Sequence, residues 1–262
     1  MKLIYRILSD LFLVISPIII IYRILKKKEK FNRLTERYAI PSKKRLNGKL
    51  IWFHCSSVGE LLSIISLIEK LENNSKIKQI LVTTTTLSSS KIFERFKFKK
   101  TIHQFFPIDS NFFVKRFLNY WMPSAVFFIE SEIWPNMIIN IKKQSIPLLL
   151  LNARITSKSY KKWKMIPSLS KVLFENFDAC FPQNFESKNY LKSLGAKNIK
   201  VLGNLKFSEN ENDKINKFNK KINSFLNSKI IWCASSTHNT EEVICAKVHK
   251  KLKQKYNNLL TI

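Results

Sequence analysis

The chain has 262 residues, 45% of them hydrophobic, which is enough for one large domain or two modest ones and excludes a disordered polypeptide. Forty-six Lys and Arg against eighteen Asp and Glu leave a formal charge of +28. That excess favours anionic partners such as phospholipid headgroups, phosphorylated substrates or nucleic acid, and it also fits a drift toward Lys, Asn and Ile in every segment. Cys55, Cys180, Cys233 and Cys245 show no C-x-x-C spacing and no histidine at metal-ligand spacing, so a reduced compartment and no metal are expected.

Residues 11–22, LFLVISPIIIIY, are apolar apart from Ser16 and Pro17, yet fall short of the roughly 20 residues that span a bilayer. Counting from Leu3 to Leu25 reaches spanning length only by including Arg6, Asp10 and Arg23. The arginines can snorkel, whereas Asp10 is costly. The cluster Lys26-Lys27-Lys28-Glu29-Lys30 follows, which the positive-inside tendency keeps in the cytoplasm and anionic lipid attracts. Residues 1–25 are expected to form a membrane anchor, spanning or interfacial, with the rest of the chain cytoplasmic. A core helix of a soluble domain is the competing reading.

From residue 49 short apolar runs alternate with helical patterns. Candidate strands are 49–55, 79–83, 125–129, 147–151, 178–182 and 199–202; several are continuously apolar, as parallel strands covered on both faces require. Val58, Leu61, Leu62, Ile65 and Ile68 recur at helical spacing and predict a helix over 58–71. Such alternation means an α/β fold with a parallel sheet. Polar residues follow the strands: Ser56 and Ser57, Thr83 to Thr86, Glu130 and Glu132, Asn152 and Arg154, Gln183, then Asn204 and Lys206. In open parallel sheets ligands bind beyond the carboxyl ends of the strands, so these residues are expected to ring one crevice.

KLIWFHCS at 49–56 aligns without gaps on KIIWCASS at 229–236, and a helical pattern follows each, which suggests two similarly built halves joined by the polar stretch 208–228. A helical run at 240–256 and a last strand at 259–262 complete only about 35 residues, roughly one βαβ unit and too little for an independent core. The second half therefore reads as incomplete.

The stretch WFHCSSVGE at 52–60 admits three chemistries. A cysteine phosphatase loop needs an arginine six residues after the cysteine, where Leu61 stands, and Glu60 would repel an anion. Ser57-Val58-Gly59-Glu60 matches the capping box S-x-x-E at a helix start. A glutamate beside the crevice can also serve as general base on a sugar hydroxyl, with Gly59 letting a large acceptor approach the backbone. Capping and catalysis are compatible, and both stay open.

Several stretches together resemble the 3-deoxy-D-manno-octulosonic acid (Kdo) transferases. In order they are WFHCSSVGE at 52–60, VTTTT at 82–86, FFP-x-D at 105–109, ESEIWPN at 130–136, LNARITSKS at 151–159, the Gln183 region, GNLKF at 203–207 and SSTHNTEE at 235–242. The resemblance implies the GT-B architecture of two Rossmann-like domains: an acceptor-binding domain at 26–207, a linker or helix at 208–228, and at 229–262 the start of a truncated CMP-sugar-binding domain. It implies inverting transfer of Kdo from CMP-Kdo to a lipid A precursor in lipopolysaccharide biosynthesis, without a metal or other cofactor, at the cytoplasmic face of the bacterial inner membrane, whose anionic lipids are a further partner.

By the same resemblance Glu60 is the general base, and Ser56, Ser57, Gly59, Glu130, Glu132, Asn152, Arg154 and Lys206 bind acceptor or sugar. Ser236, Thr237, His238 and Glu241 bind the donor, with hydroxyls and amides at a helix start available to its phosphate. A role in a helix N-terminus is the alternative for Glu130 and Glu132, because Pro135 suits a first helical turn, and an N-cap pair is the alternative for Asn239 and Glu242. Two departures stand out: Cys55 and Ser131 replace a small residue and a threonine, and the family's later segments, including a Pro-Arg-His-Pro stretch, do not follow Ile262.

Two rivals come from other classes. One is a catalytically inactive membrane- or lipid-binding remnant that keeps only the acceptor domain. The other is a nucleic-acid-binding protein, against which stand the lack of a groove-entering or base-stacking motif and the absence of a basic stripe.

Overall fold

The computed structural model describes residues 2–205 and 219–262. The chain divides into two compact units, Met1–Glu209 and Asn210–Ile262. The first opens with helix α1 (Lys2–Leu25) and a 3₁₀ helix (Phe31–Tyr38), after which apolar runs covered on both faces become parallel strands. These are β1 (Leu50–His54), β2 (Gln79–Thr84), β3 (Thr101–Phe105), β4 (Ala125–Ile129), β5 (Leu148–Ala153) and β6 (Ala179–Pro182).

Between them lie α2 (Val58–Ser63), α3 (Ile65–Glu72), α4 (Leu87–Phe93), α5 (Asn111–Trp121), α6 (Pro135–Lys143), α7 (Ser157–Lys164) and α8 (Pro167–Glu175), with α9 (Phe185–Leu194) after β6. The sheet order is β3-β2-β1-β4-β5-β6, with every neighbouring pair parallel. The chain thus winds outward from β1 to β3 and then returns to the other side through β4. The reversal opens a crevice at the carboxyl ends of β1 and β4, where doubly wound sheets bind ligands.

Alternation along each strand divides the core between the two faces. Trp52, Phe117, Trp121, Phe128 and Leu150 belong to one buried cluster, and Phe53, Ile64, Ile68, Ile80 and Val82 to the other. The indole Nε1 of Trp52 donates to Thr83 Oγ1 at 2.9 Å, so the largest buried ring leaves no polar atom unpaired.

Three elements differ from the sequence reading. Strand β3 has no counterpart there, because TIHQF puts Thr, His and Gln on a strand whose polar side chains find partners only in three dimensions. Arg33 Nη2 lies 2.7 Å from His103 Nδ1, and Gln104 Nε2 donates to Ser42 Oγ at 2.7 Å. The strand expected at 199–202 reduces to one parallel bridge between Ile199 and Cys180. The helix expected over 58–71 is broken at Ile64, where φ is −110° and ψ −2°. Ser63 Oγ donates to the Glu60 carbonyl at 2.7 Å just before the break, a local bond that favours a bend.

A buried ionic network joins the 3₁₀ helix to the sheet. Glu36 is 1% exposed and accepts from Arg33 Nε (2.7 Å), Arg33 Nη2 (2.8 Å), the Phe105 amide (2.6 Å) and Ser42 Oγ (2.5 Å). Arg37 donates to the Thr85 and Phe106 carbonyls and to Glu29, and both guanidiniums lie over the Phe105 ring. The loops after β2 and β3 are thereby fixed at the crevice edge.

Helix α1 packs on this unit through polar clamps. Tyr5 Oη donates to Asp109 Oδ2 at 2.9 Å, Asn136 Nδ2 to Ser9 Oγ at 3.1 Å, and Arg23 Nε to Glu29 Oε1 at 2.9 Å. Val14, Ile18, Ile21 and Leu25 remain exposed on it. Among the described residues no helix is long and apolar enough to cross a membrane. The spanning form of the expected anchor is therefore without support, because the charged and polar residues that interrupt the apolar run lower its hydropathy.

The second unit holds α10 (Lys220–Asn227), β7 (Ile230–Trp232), α11 (Glu241–Lys255) and β8 (Leu259–Thr261). Strands β7 and β8 pair in parallel across α11, a single βαβ element. Strand β7 lies within 229–236 as β1 lies within 49–56, but α2 starts at Val58, close after β1, whereas α11 starts only at Glu241.

Candidate active site

The loop after β1 is built around a carboxylate. Ser57 caps α2: its hydroxyl accepts from the Glu60 amide at 3.2 Å and donates to Glu60 Oε1 at 2.9 Å. Glu60 Oε2 reaches back to accept from the amide of Ser56, the residue before the cap, at 2.7 Å, a variant of the reciprocal capping box. Burial raises the Glu60 carboxyl above its ordinary value; the Ser56 and Ser57 hydrogen bonds oppose this, and the charges of Glu132 and Glu130 add to it. A carboxylate made more basic and fixed at a crevice edge is suited to taking a proton. Ser56 Oγ is hydrogen-bonded to Thr85 Oγ1, and Thr85, Thr86 and Ser89 all donate to the Ser56 carbonyl, so the loops after β1 and β2 are tied together. Gly59 lies exposed in the first turn of α2, and Cys55 is wholly buried, a packing residue.

Behind Glu60 lies a pair of His54 with Glu132; the sequence marks Glu132 as an acceptor- or sugar-binding residue and leaves its bond to His54 unread. His54 is fully buried at the end of β1, its ring stacked 3.8 Å from that of Phe106. With His54 protonated at Nε2 its side-chain bonds run in series, and the Thr83 carbonyl 3.2 Å from Nδ1 takes no proton from the ring. Trp52 donates to Thr83 Oγ1, the Thr83 hydroxyl donates to His54 Nδ1 at 3.0 Å, and His54 Nε2 donates to Glu132 Oε2 at 3.1 Å. Trp134 Nε1 donates to the same oxygen at 2.8 Å. Burial alone would raise the Glu132 carboxyl, but the bonds from His54 and Trp134 outweigh it and hold the group below its usual value. Glu132 thus points back to the sheet rather than capping α6, although Pro135 does occupy the first turn of that helix.

Helix α6 is capped from elsewhere. Asp109 accepts from the Asn136 amide (3.0 Å), the Met137 amide (2.8 Å) and Tyr5 Oη (2.9 Å), while Asn136 Nδ2 donates to the Asp109 carbonyl at 2.6 Å. The FFP-x-D and ESEIWPN stretches are therefore two halves of one structural joint. Burial raises the Asp109 carboxyl to about 6 against these donors. A carboxyl raised in the folded state keeps a proton that the unfolded chain has already released, so stability falls as pH rises from about 4 through about 6 and is level above. The raise from 3.8 to about 6 corresponds to on the order of 3 kcal/mol. Urea midpoints at pH 4, 5, 6 and 7 should show this slope in the parent chain and lack it in Asp109→Asn.

At the ends of β4 and β5, Glu130 (φ 57°) and Asn152 (φ 51°) both adopt the left-handed region, which is uncommon for residues with a Cβ and concentrates at functional sites. Asn152 Nδ2 lies 3.4 Å from Glu130 Oε1, and Asn152 Oδ1 accepts from the Leu205 amide at 3.2 Å. The two are strapped to each other and to the segment after residue 200. Arg154 stands beside them, its amide donating to the Glu130 carbonyl at 3.2 Å, and it lines a cavity of about 520 Å³ with Thr156, Gln183, Asn184 and Asn204. The polar residues expected to ring one crevice form a carboxylate site at β1 and β4 that adjoins, through Asn152 and Arg154, a polar cavity at β5 and β6. Lys206 lies outside the described residues.

In the second unit, Ser236 also has positive φ (57°), and Thr237 Oγ1 donates to Glu242 Oε1 at 3.2 Å. Glu241 Oε2 accepts from the His238 amide at 2.7 Å and lies 3.5 Å from His238 Nδ1. The expected cap pair of Asn239 and Glu242 is replaced by His238 and Glu241, because Thr240 in left-handed conformation brings Glu241 beneath the turn.

A family model described as 3-deoxy-D-manno-octulosonic-acid transferase (kdotransferase) matches residues 32–209. A 3-deoxy-D-manno-octulosonic acid transferase of Rickettsia bellii is 37% identical over 255 residues, covering 97% of this chain and 60% of that protein. The corresponding protein of Haemophilus influenzae is 29% identical, covering 97% of this chain and 61% of its own length. The chain spans about 60% of the length of these curated relatives. Among solved structures, the UDP-GlcNAc 2-epimerase of Neisseria meningitidis bound to UDP-GlcNAc superposes with a TM-score of 0.57 at 16% identity, over 81% of this chain and 64% of the epimerase. That likeness is one of fold, an α/β architecture with a parallel sheet.

Proposed function

Because the chain belongs to the 3-deoxy-D-manno-octulosonic-acid transferase family, we propose that it works as an inverting GT-B glycosyltransferase moving Kdo from CMP-Kdo to a lipid A precursor. The observation that supports this best is Glu60, buried, raised in basicity and fixed by its own capping box at the crevice between β1 and β4. In the step, the Glu60 carboxylate takes the proton of an acceptor sugar hydroxyl. The freed oxygen attacks the Kdo anomeric carbon from the face opposite CMP, and the bond to the phosphate oxygen breaks, its electron pair leaving with CMP. Glu130 and Asn152 orient the acceptor from the ends of β4 and β5. Glu132 stays ionised on His54 and keeps Glu60 basic.

Arg154 and Lys206 are assigned to the phosphate or sugar carboxylate of the substrates, for which a guanidinium fork is suited. Ser236, Thr237, His238 and Glu241 are assigned to the donor. We assign no metal or other cofactor to this step. Incubating the full-length reading-frame product with CMP-Kdo and a lipid A precursor should yield an acceptor heavier by one or more Kdo units on mass analysis. No mass gain with folded protein would sink the assignment.

We place the protein at the cytoplasmic face of the inner membrane, with α1 lying in the interface. Its exposed Val14, Ile18 and Leu25, followed by exposed Lys26, Lys27 and Lys28, form an apolar strip next to a basic cluster. Each lysine near an anionic surface contributes about 1 kcal/mol, so replacing all three with Gln should weaken binding to phosphatidylglycerol vesicles by about 10²-fold at low salt. Sedimentation with vesicles checks this; equal binding by the triple variant would remove the electrostatic part of the interfacial reading.

A further inference from the structure

Between α1 and the carboxyl ends of the sheet lies a cavity of about 490 Å³, within the range of small-ligand pockets and unused by the transfer step. Its apolar wall comes from Ile19 and Ile20 of α1 and from Phe106, Pro107, Ile108 and Trp134 of the domain. The void is built into the structure. Tyr5 to Asp109 and Ser9 to Asn136 hold one end of α1, and Arg23 to Glu29 holds the other, so the helix cannot collapse onto the surface between them. An apolar space of this size holds ordered water poorly, because each water needs two to four polar partners.

Three lining residues also touch the candidate active site. Thr85 is hydrogen-bonded to Ser56, Phe106 stacks on His54, and Trp134 donates to Glu132. The cavity and the site that holds Glu60 therefore share a wall. At its wall Arg23 and Arg37 stand against Glu29, and Lys26, Lys27 and Lys28 follow on the exposed turn beyond, so an anionic headgroup is matched where the hydrocarbon begins.

We propose that this cavity receives one acyl chain of the glycolipid acceptor and so holds the acceptor's sugar at the Glu60 crevice. This rests on the transferase reading, but its test needs neither donor nor turnover. Fluorescence titration of the 262-residue chain with cis-parinaric acid, a conjugated fatty acid, should saturate at one probe per chain. Ile20→Trp, which fills the space, should weaken the probe by about tenfold, and the milder Ile20→Phe and Ile108→Phe should weaken it in the same direction. Val14→Asp, on the exposed side of α1, should leave cavity binding unchanged while reducing vesicle binding.

The acylated lipid A precursor should displace the probe at lower concentration than its deacylated form. Absence of saturable binding, or equal affinity in the parent and all filled variants, would overturn the proposal. Equal displacement by acylated and deacylated precursor would also overturn it, as would equal displacement by phospholipid, which would assign the cavity to bulk membrane lipid. A chain that binds the probe as expected but whose full-length product fails to transfer Kdo would separate failure of the catalytic reading from failure of this one.

Discussion

Glu60→Gln is expected to lower kcat for sugar transfer by about 10²–10⁴-fold in the full-length product, with the fold intact. The separation is possible because glutamine also fits the third position of a capping box. Its amide oxygen can accept from the Ser56 amide as Glu60 Oε2 does now, at 2.7 Å, so α2 keeps its start while the proton acceptor is lost. Glu60→Ala removes both roles and should add about 1 kcal/mol of destabilisation. Comparing kcat with the thermal midpoint for the two variants distinguishes base from cap. If Glu60→Gln turns over normally, the carboxylate is structural only.

Glu132→Leu is expected to be the most destabilising change at the site. It leaves two donors, the buried His54 Nε2 and the partly buried Trp134 Nε1, facing hydrocarbon where both now bond Oε2 at 3.1 and 2.8 Å. Each orphaned donor costs about 1–3 kcal/mol, so a loss of about 4 kcal/mol is expected, about 10 °C in Tm for a chain of this size. Glu132→Gln tests something else. One amide oxygen can accept both bonds, so most stability should be kept while the negative charge beside Glu60 disappears.

That charge contributes to raising the Glu60 carboxyl, after burial. Its removal should let the Glu60 pKa fall, and because the base acts only when deprotonated, the acid limb of the pH–rate profile should move to lower pH. A limb that stays in place in Glu132→Gln would detach Glu132 from the tuning of Glu60.

Much of the fold could be read locally. The mainly apolar runs at 49–55, 79–83, 125–129, 147–151 and 178–182 became β1, β2, β4, β5 and β6, because a strand covered on both faces is apolar at most of its positions. Strand β3 escaped because its His103 and Gln104 look like loop residues until Arg33 and Ser42, about 60 to 70 positions earlier, are brought beside them. The same limit hid the role of Asp109. Its partners Tyr5, Asn136 and Met137 come from two other segments, and no local pattern links them.

For the site, Ser57 and Glu60 were legible because a capping box is a short-range device, its partners three residues apart. The alternation of strand and helix, the echo of 49–56 at 229–236 and the order of the family's stretches were likewise written along the chain. The rest required the packed structure: which carboxylate faces which donor, that Arg154 lines a polar cavity with Gln183 and Asn184, and that α1 stands off the sheet on three polar clamps around an apolar space. Sequence periodicity records which residues are buried and the local bonds that start a helix. Burial of a charge, the choice of its partner and the volume left between two elements are sums over distant segments, and only the tertiary fold decides them.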